Sequence, residues 1–255
     1  AITDLLAISL SSTGYIGHQF GPNSVEIEDT YLRLDRDLAA FFTYLDTQIG
    51  KNNYTLFLTA DHGGAHNYQL LLDKEIPAGF FNAKQVTKHL NNHLQTKYAT
   101  SPLVLEIGNN QVSLNKTLIA KNKLNEDDIV SDCVQFLQTQ PDIAYAIDMH
   151  AIQQAPIPDL LRKRAINGYN PKRCGRIQLI LNPGWYHYGS TKGTTHGNWN
   201  AYDAHIPLLF MGWGIKTGRS NKANEMTDIA STIAALLRIQ APNGSVGKII
   251  TEVLE

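Results

Sequence analysis

The chain opens on a short apolar run, "DLLAISLSS" (4–12), which predicts a buried strand passing into a glycine-rich loop. Residues 28–49 place Tyr31, Leu34, Leu38, Phe41, Phe42, Leu45 and Ile49 at helical spacing, and Gly50 follows where a helix-ending glycine belongs. "YTLFLTA" (54–60) is a continuous apolar run of strand length, rich in aromatic and β-branched residues. Such runs mark strands covered on both faces, as in parallel sheets. The run stops at "DHGGAH", so the first 66 residues predict a βαβ unit.

The middle of the chain breaks this alternation. Residues 84–98 are predicted helical, and "LVLEIGNNQVSLN" (103–115) reads as two alternating runs joined at Gly-Asn-Asn, a hairpin. Helix, strand and helix follow at 126–138, 143–148 and 157–166. The regular pattern returns with strands at "RIQLILN" (176–182) and "IPLLFMG" (206–212). A helix at "MTDIASTIAALLRI" (226–239) has Thr227 or Asp228 near its start. The expected fold is therefore α/β, with a core over 1–69 and 176–255 and an α+β insertion or cap over 70–175. Residues 183–204 form a long connection with four glycines, a length that is usually functional.

Composition narrows the function classes. Hydrophobic residues make up 43% of the 255 and charged residues 18%, the balance of a globular protein with one large domain or a domain with an insertion. The formal net charge of -1, with no basic run, argues against a nucleic-acid partner. No apolar run reaches the roughly 20 residues of a membrane span. The opening residues lack the basic start of a signal peptide. Cys133 and Cys174 fit no zinc spacing; free thiols are expected, and a disulfide is the alternative in an oxidising compartment.

The candidate chemistry lies in three segments, each after a predicted strand. They carry His18; Asp61, His62 and His66; and His187, His196 and His205. In open α/β sheets ligands bind at the carboxyl ends of strands. Imidazole and carboxylate together suit zinc, and adjacent Asp-His suits two ions better than one, since neighbouring side chains diverge. Two ions about 4 Å apart can clamp the attacking and leaving oxygens of a phosphoryl transfer. An isolated Asp-His pair is more often a simple hydrogen-bonded cap. His89 and His93 stand at i, i+4 on a helix, but Leu90 occupies the place a zinc-protease motif gives to Glu, so a solvated face is the better reading. His150 reads as structural. No nucleophile elbow or P-loop is present.

Taken in order, "SSTGYIGHQFGPNS" (11–24), "LTADHGG" (58–64) and "GTTHGNWNAYDAHIPLLFMG" (193–212) resemble the metal-binding segments of the alkaline phosphatase superfamily. The long insertion with "NGYNPKRCGRIQLILNPGWY" (167–186) looks most like the PafA-type branch, near the type I phosphodiesterases and nucleotide pyrophosphatases. The resemblance implies an alkaline phosphatase-like α/β sandwich, with a largely parallel central sheet and helices on both faces. It implies that Asp61 and His62 bind one zinc, and that His18 and His196 bind another. His66 and His205 are candidates for supporting positions. The family's third ligand to the second ion is an aspartate four residues before His18, and here that position is Gly14. Glycine offers no donor, so weakened occupancy is expected there.

The resemblance also places the family's Thr or Ser nucleophile upstream of these residues. The expectation is therefore a metal-dependent phosphate monoester hydrolase present as a partial chain, weak or inactive alone, acting in intact form on a small phosphate ester. The alternatives are a phosphodiesterase or nucleotide pyrophosphatase, or a non-catalytic binding module on the same scaffold. Export to the periplasm or medium is expected from the resemblance alone.

Overall fold

The computed structural model describes residues 3–254. In chain order the elements are α1 (Ser12–Phe20), α2 (Val25–Leu45), β1 (Thr55–Thr59), α3 (Tyr68–Leu72), β2 (Gly79–Phe80) and α4 (Ala83–Tyr98). Then come β3 (Val104–Gly108), β4 (Gln111–Leu114), α5 (Lys116–Lys121), α6 (Glu126–Gln138), β5 (Ile143–Asp148) and α7 (Asp159–Gly168). The last are β6 (Ile177–Leu181), β7 (Trp185–Tyr186), α8 (Ala201–Ala204), β8 (Leu208–Gly212) and α9 (Asp228–Leu236). The chain divides into two compact units, one of residues 1–27 and 64–204, the other of residues 28–63 and 205–255.

The first unit is built on a four-stranded antiparallel sheet in the order β3-β4-β6-β5. Its hairpin turn falls at Asn109 and Asn110, both at positive φ (48° and 59°), a conformation asparagine tolerates better than most residues. β6 is buried at every position, its four apolar residues and Gln178 alike, and the Gln178 amide donates to Asn110 O and Leu179 O. Leu90 and Leu94 of α4 and Ile129, Cys133 and Leu137 of α6 pack with Val112, Ile177 and Leu179 into the main core. Ile147, Met149 and Ile180 pack with Ile152, Ile157 and Ala165 in a second cluster. Asparagines cap the helices: Asn82, Asn115 and Asn125 each accept a backbone N–H in the first turn of α4, α5 and α6.

One buried cation ties the sheet to α6. Arg176 hydrogen-bonds Asp148 through Nε and Nη2, each at 3.0 Å, and reaches Glu126 at 3.2 Å and Asp127 at 2.6 Å. Burial alone pushes the Asp148 carboxyl up. The Arg176 guanidinium and the His150 N–H together outweigh that and hold it below the usual carboxylate value.

The second unit holds β1 and β8, paired antiparallel from Thr55 opposite Gly212 to Thr59 opposite Leu208. Thr55 Oγ1 donates to Trp213 O and Thr59 Oγ1 to Pro207 O, closing the two ends of the ladder. In α9, Thr232 is fully buried; its hydroxyl donates to Asp228 O and accepts from Ile250 N–H.

Three local expectations change. The apolar run at 4–12 forms no strand: residues 3–10 carry no regular structure, and Leu5, Leu6, Ile8 and Leu10 are exposed. No described strand pairs with them, so the run has no ladder to join and the first βαβ unit does not form. Residues 12–20 form a helix where glycines and hydroxyls predicted a loop, because Gly14 and Gly17 adopt helical backbone and the helix ends at Gly21, φ 90°. The run at 54–60 is a strand, but its partner is antiparallel, and Phe57, Leu58 and Leu209 remain exposed. Among the described residues the parallel pairing is β2 with β7.

Candidate metal centre

In the first unit, α1 carries Gly14 in its first turn and His18 in its last, four residues apart and hence on one helical face. An ideal Cβ at Gly14 would meet nothing within 4 Å, so the position is empty of neighbours as well as of a donor. The His18 ring lies 5.1 Å from that of His196, with the planes at 51°. His18 Nδ1 is 2.9 Å from Thr194 O. A carbonyl only accepts, so Nδ1 carries the proton and the Nε2 lone pair is left for a ligand. Metal-bound histidines are oriented in this way, by a second bond from the other ring nitrogen.

Gly193 is required for that approach. Its φ is +77°, and a Cβ there would fall 2.1 Å from His18 O. Neither Gly193 nor Thr194 stands out in the sequence, because their role depends on a contact between distant parts of the chain.

In the second unit Asp61 and His62 follow β1 directly. His62 Nδ1 lies 2.7 Å from Gly63 O, and its Nε2 is 3.6 Å from Asp61 Oδ2. Asp61 is well exposed, whereas two-thirds of the His62 side chain is covered. Each pair thus has the donor chemistry of a zinc site and stops short of the four ligands zinc takes. Among the described residues no group of three or more metal-ligating side chains forms.

The other candidates each have a setting of their own. His66 Nδ1 donates to Asn23 Oδ1 at 2.6 Å, and His205 is exposed in the second unit. His187 packs edge-on against Phe81 and bonds Asn110 Oδ1 at 2.7 Å; burial lowers its pKa, keeping it neutral as a structural group. His93 stacks on Phe136 at 5.0 Å and is exposed, as a helix-surface residue should be. Cys133 and Cys174 are both free thiols.

Residues 1–203 match the family model for type I phosphodiesterase / nucleotide pyrophosphatase. The chain belongs to that family. It is 49% identical over 253 residues to "Alkaline phosphatase PafA" of Elizabethkingia meningoseptica, an alignment covering 99% of this chain and 46% of the relative. It is 51% identical over 255 residues to a Myroides odoratus protein named "Calcium-transporting ATPase", covering 100% of this chain and 46% of that one. The crystal structure of wild-type PafA superposes with a TM-score of 0.89 at 48% identity, covering 96% of this chain and 47% of PafA. Human ectonucleotide pyrophosphatase / phosphodiesterase 5, at 18% identity and a TM-score of 0.61, shares the fold. Within the alkaline phosphatase superfamily, therefore, this family member stands with the PafA-type branch and has its α/β fold. The chain spans about half the length of the curated relatives it matches. No helix among the described residues is long and apolar enough to cross a membrane.

Proposed function

We propose that this chain is part of a metal-dependent phosphoric ester hydrolase, acting on monoesters, and that it supplies ligands to two zinc ions. The observation that carries this reading is the pair of histidines, His18 and His62, each with Nδ1 on a backbone carbonyl. Each has a second donor beside it, His196 or Asp61. His18 and His196 would hold one ion, and Asp61 and His62 the other. The identity to relatives named as alkaline phosphatases supports the monoester assignment.

Bound zinc supplies positive charge that stabilises the oxygens of a phosphoryl group in transfer. This chain's own residues aim the histidines, through the carbonyls of Thr194 and Gly63. Gly14 contributes no carboxylate to the His18–His196 pair, so two neutral imidazoles face a divalent charge without an anion. Activity of the chain by itself is accordingly expected to be weak. The substrate is a small phosphate ester, and the family relation supports export of the intact protein.

Gly14 also favours a second reading, a non-catalytic binding module that keeps the scaffold. Hydrolysis of p-nitrophenyl phosphate and of its bis-ester, with zinc, separates the readings when run on the full natural gene product. Monoester turnover supports the proposal, turnover of the diester alone makes the protein a phosphodiesterase, and no turnover of either supports the binding module.

A further inference from the structure

Thr194 is bonded on every side. Its carbonyl accepts from His18 Nδ1 at 2.9 Å, and its N–H donates to His18 O at 3.2 Å. Its hydroxyl, on a residue only 5% exposed, donates to Ala65 O at 2.5 Å. The flanking residues continue the same seam. Asn67 Nδ2 donates to Gly193 O at 2.7 Å, and Ala65 N–H donates to Thr195 O at 3.2 Å. The segment 193–195 is therefore stapled to 65–67 on one side and to the end of α1 on the other, and His196 follows it directly.

The backbone bond at the Thr194 N–H does not fix the direction of its carbonyl, because the N–H belongs to the preceding peptide plane and the carbonyl to the following one. The buried hydroxyl does, by tying the residue to Ala65. We propose that Thr194 is the positioning residue of the His18–His196 pair: its hydroxyl sets its carbonyl, and its carbonyl selects the Nδ1–H tautomer of His18. A solvated neutral imidazole prefers the opposite tautomer, so this bond decides which nitrogen keeps a lone pair. The metal consequence rests on the reading of His18 and His196 as ligands; the tautomer itself does not. Valine at 194 matches the shape of threonine but leaves Ala65 O without its buried donor, whereas serine keeps the donor.

The test is ¹⁵N NMR of the metal-free chain labelled at histidine, at alkaline pH, with the His18 signals assigned by their loss in His18→Gln. Zinc titration calorimetry accompanies it. The wild type is expected to show His18 as Nδ1–H. Thr194→Val is expected to shift it toward Nε2–H and to weaken zinc binding at the pair by about 10-fold or more, the usual effect of losing a ligand's hydrogen-bonded support. Thr194→Ser restores both. Wild-type His18 in the Nε2–H form overturns the proposal whether or not the valine variant folds. So does a folded Thr194→Val that keeps the wild-type tautomer. A wild-type Nδ1–H signal lost in the valine variant, with no zinc uptake by any form, supports the tautomer assignment and contradicts the metal reading.

Discussion

His18 and His196 stand ring to ring, 5.1 Å apart, in the same compact unit, although one lies near the start of the chain and the other follows the long insertion. What holds them there is mostly main chain: the Thr194 carbonyl on His18 Nδ1 and the Thr194 N–H on His18 O. The pair keeps the geometry of a ligand pair while the residue one helical turn before His18 is a glycine.

Gly14→Asp should therefore add a carboxylate where nothing obstructs it. The new side chain sits in the first turn of α1, where a negative charge is also favoured by the helix dipole, by about 0.5 kcal/mol. The expected result is a higher melting temperature and more zinc retained after dialysis, measured by elemental analysis. Unchanged zinc would show that position 14 is not a ligand position.

Arg176→Met should destabilise the first unit by about 3 kcal/mol, because it leaves the largely buried Asp148 without its partner. Asp148→Asn gives the pH signature. A carboxyl held below its ordinary value contributes stability above about pH 4, the unfolded value, and loses it as pH falls through the folded one. Thermal melts of wild type and Asp148→Asn should differ at neutral pH and converge in acid.

The two thiols should react unequally. Cys133 is fully buried, and burial pushes its pKa up to about 12, while Cys174 is partly exposed. A thiol-disulfide colorimetric reagent should titrate one cysteine in the native chain and the second only after unfolding, with mass spectrometry placing the first label on Cys174.

Gly212→Ala should cost about 2 kcal/mol in the second unit. The residue ends β8 at φ +100°, and a Cβ would fall 2.0 Å from Tyr54 O. Denaturant titration measures the loss, and Gly218→Ala, with open space around it, is the neutral control.

Much of the fold was legible because hydrophobic period and helix caps act locally. The helices at 84–98 and 126–138, the hairpin at Gly-Asn-Asn and the buried strand at 176–182 all form where the pattern put them. Position 4–12 misled because an apolar run becomes a strand only with a neighbour to bond, and pairing partners are not written in the run itself. "STGYIGHQF" misled for the opposite reason: two glycines weaken a helix by about 1 kcal/mol each without forbidding it. His18, His62, Asp61 and His196 are legible as candidate donors from residue type alone. Thr194 was not, since a threonine beside a histidine says nothing until its hydroxyl is seen on Ala65.

The most direct test of the account is zinc titration calorimetry of the metal-free chain, repeated on His62→Ala and His18→Ala. The wild type should bind zinc in two phases, a tighter one lost in His62→Ala and a weaker one lost in His18→Ala. Zinc binding that is absent from the wild type, or unchanged in both variants, would contradict it.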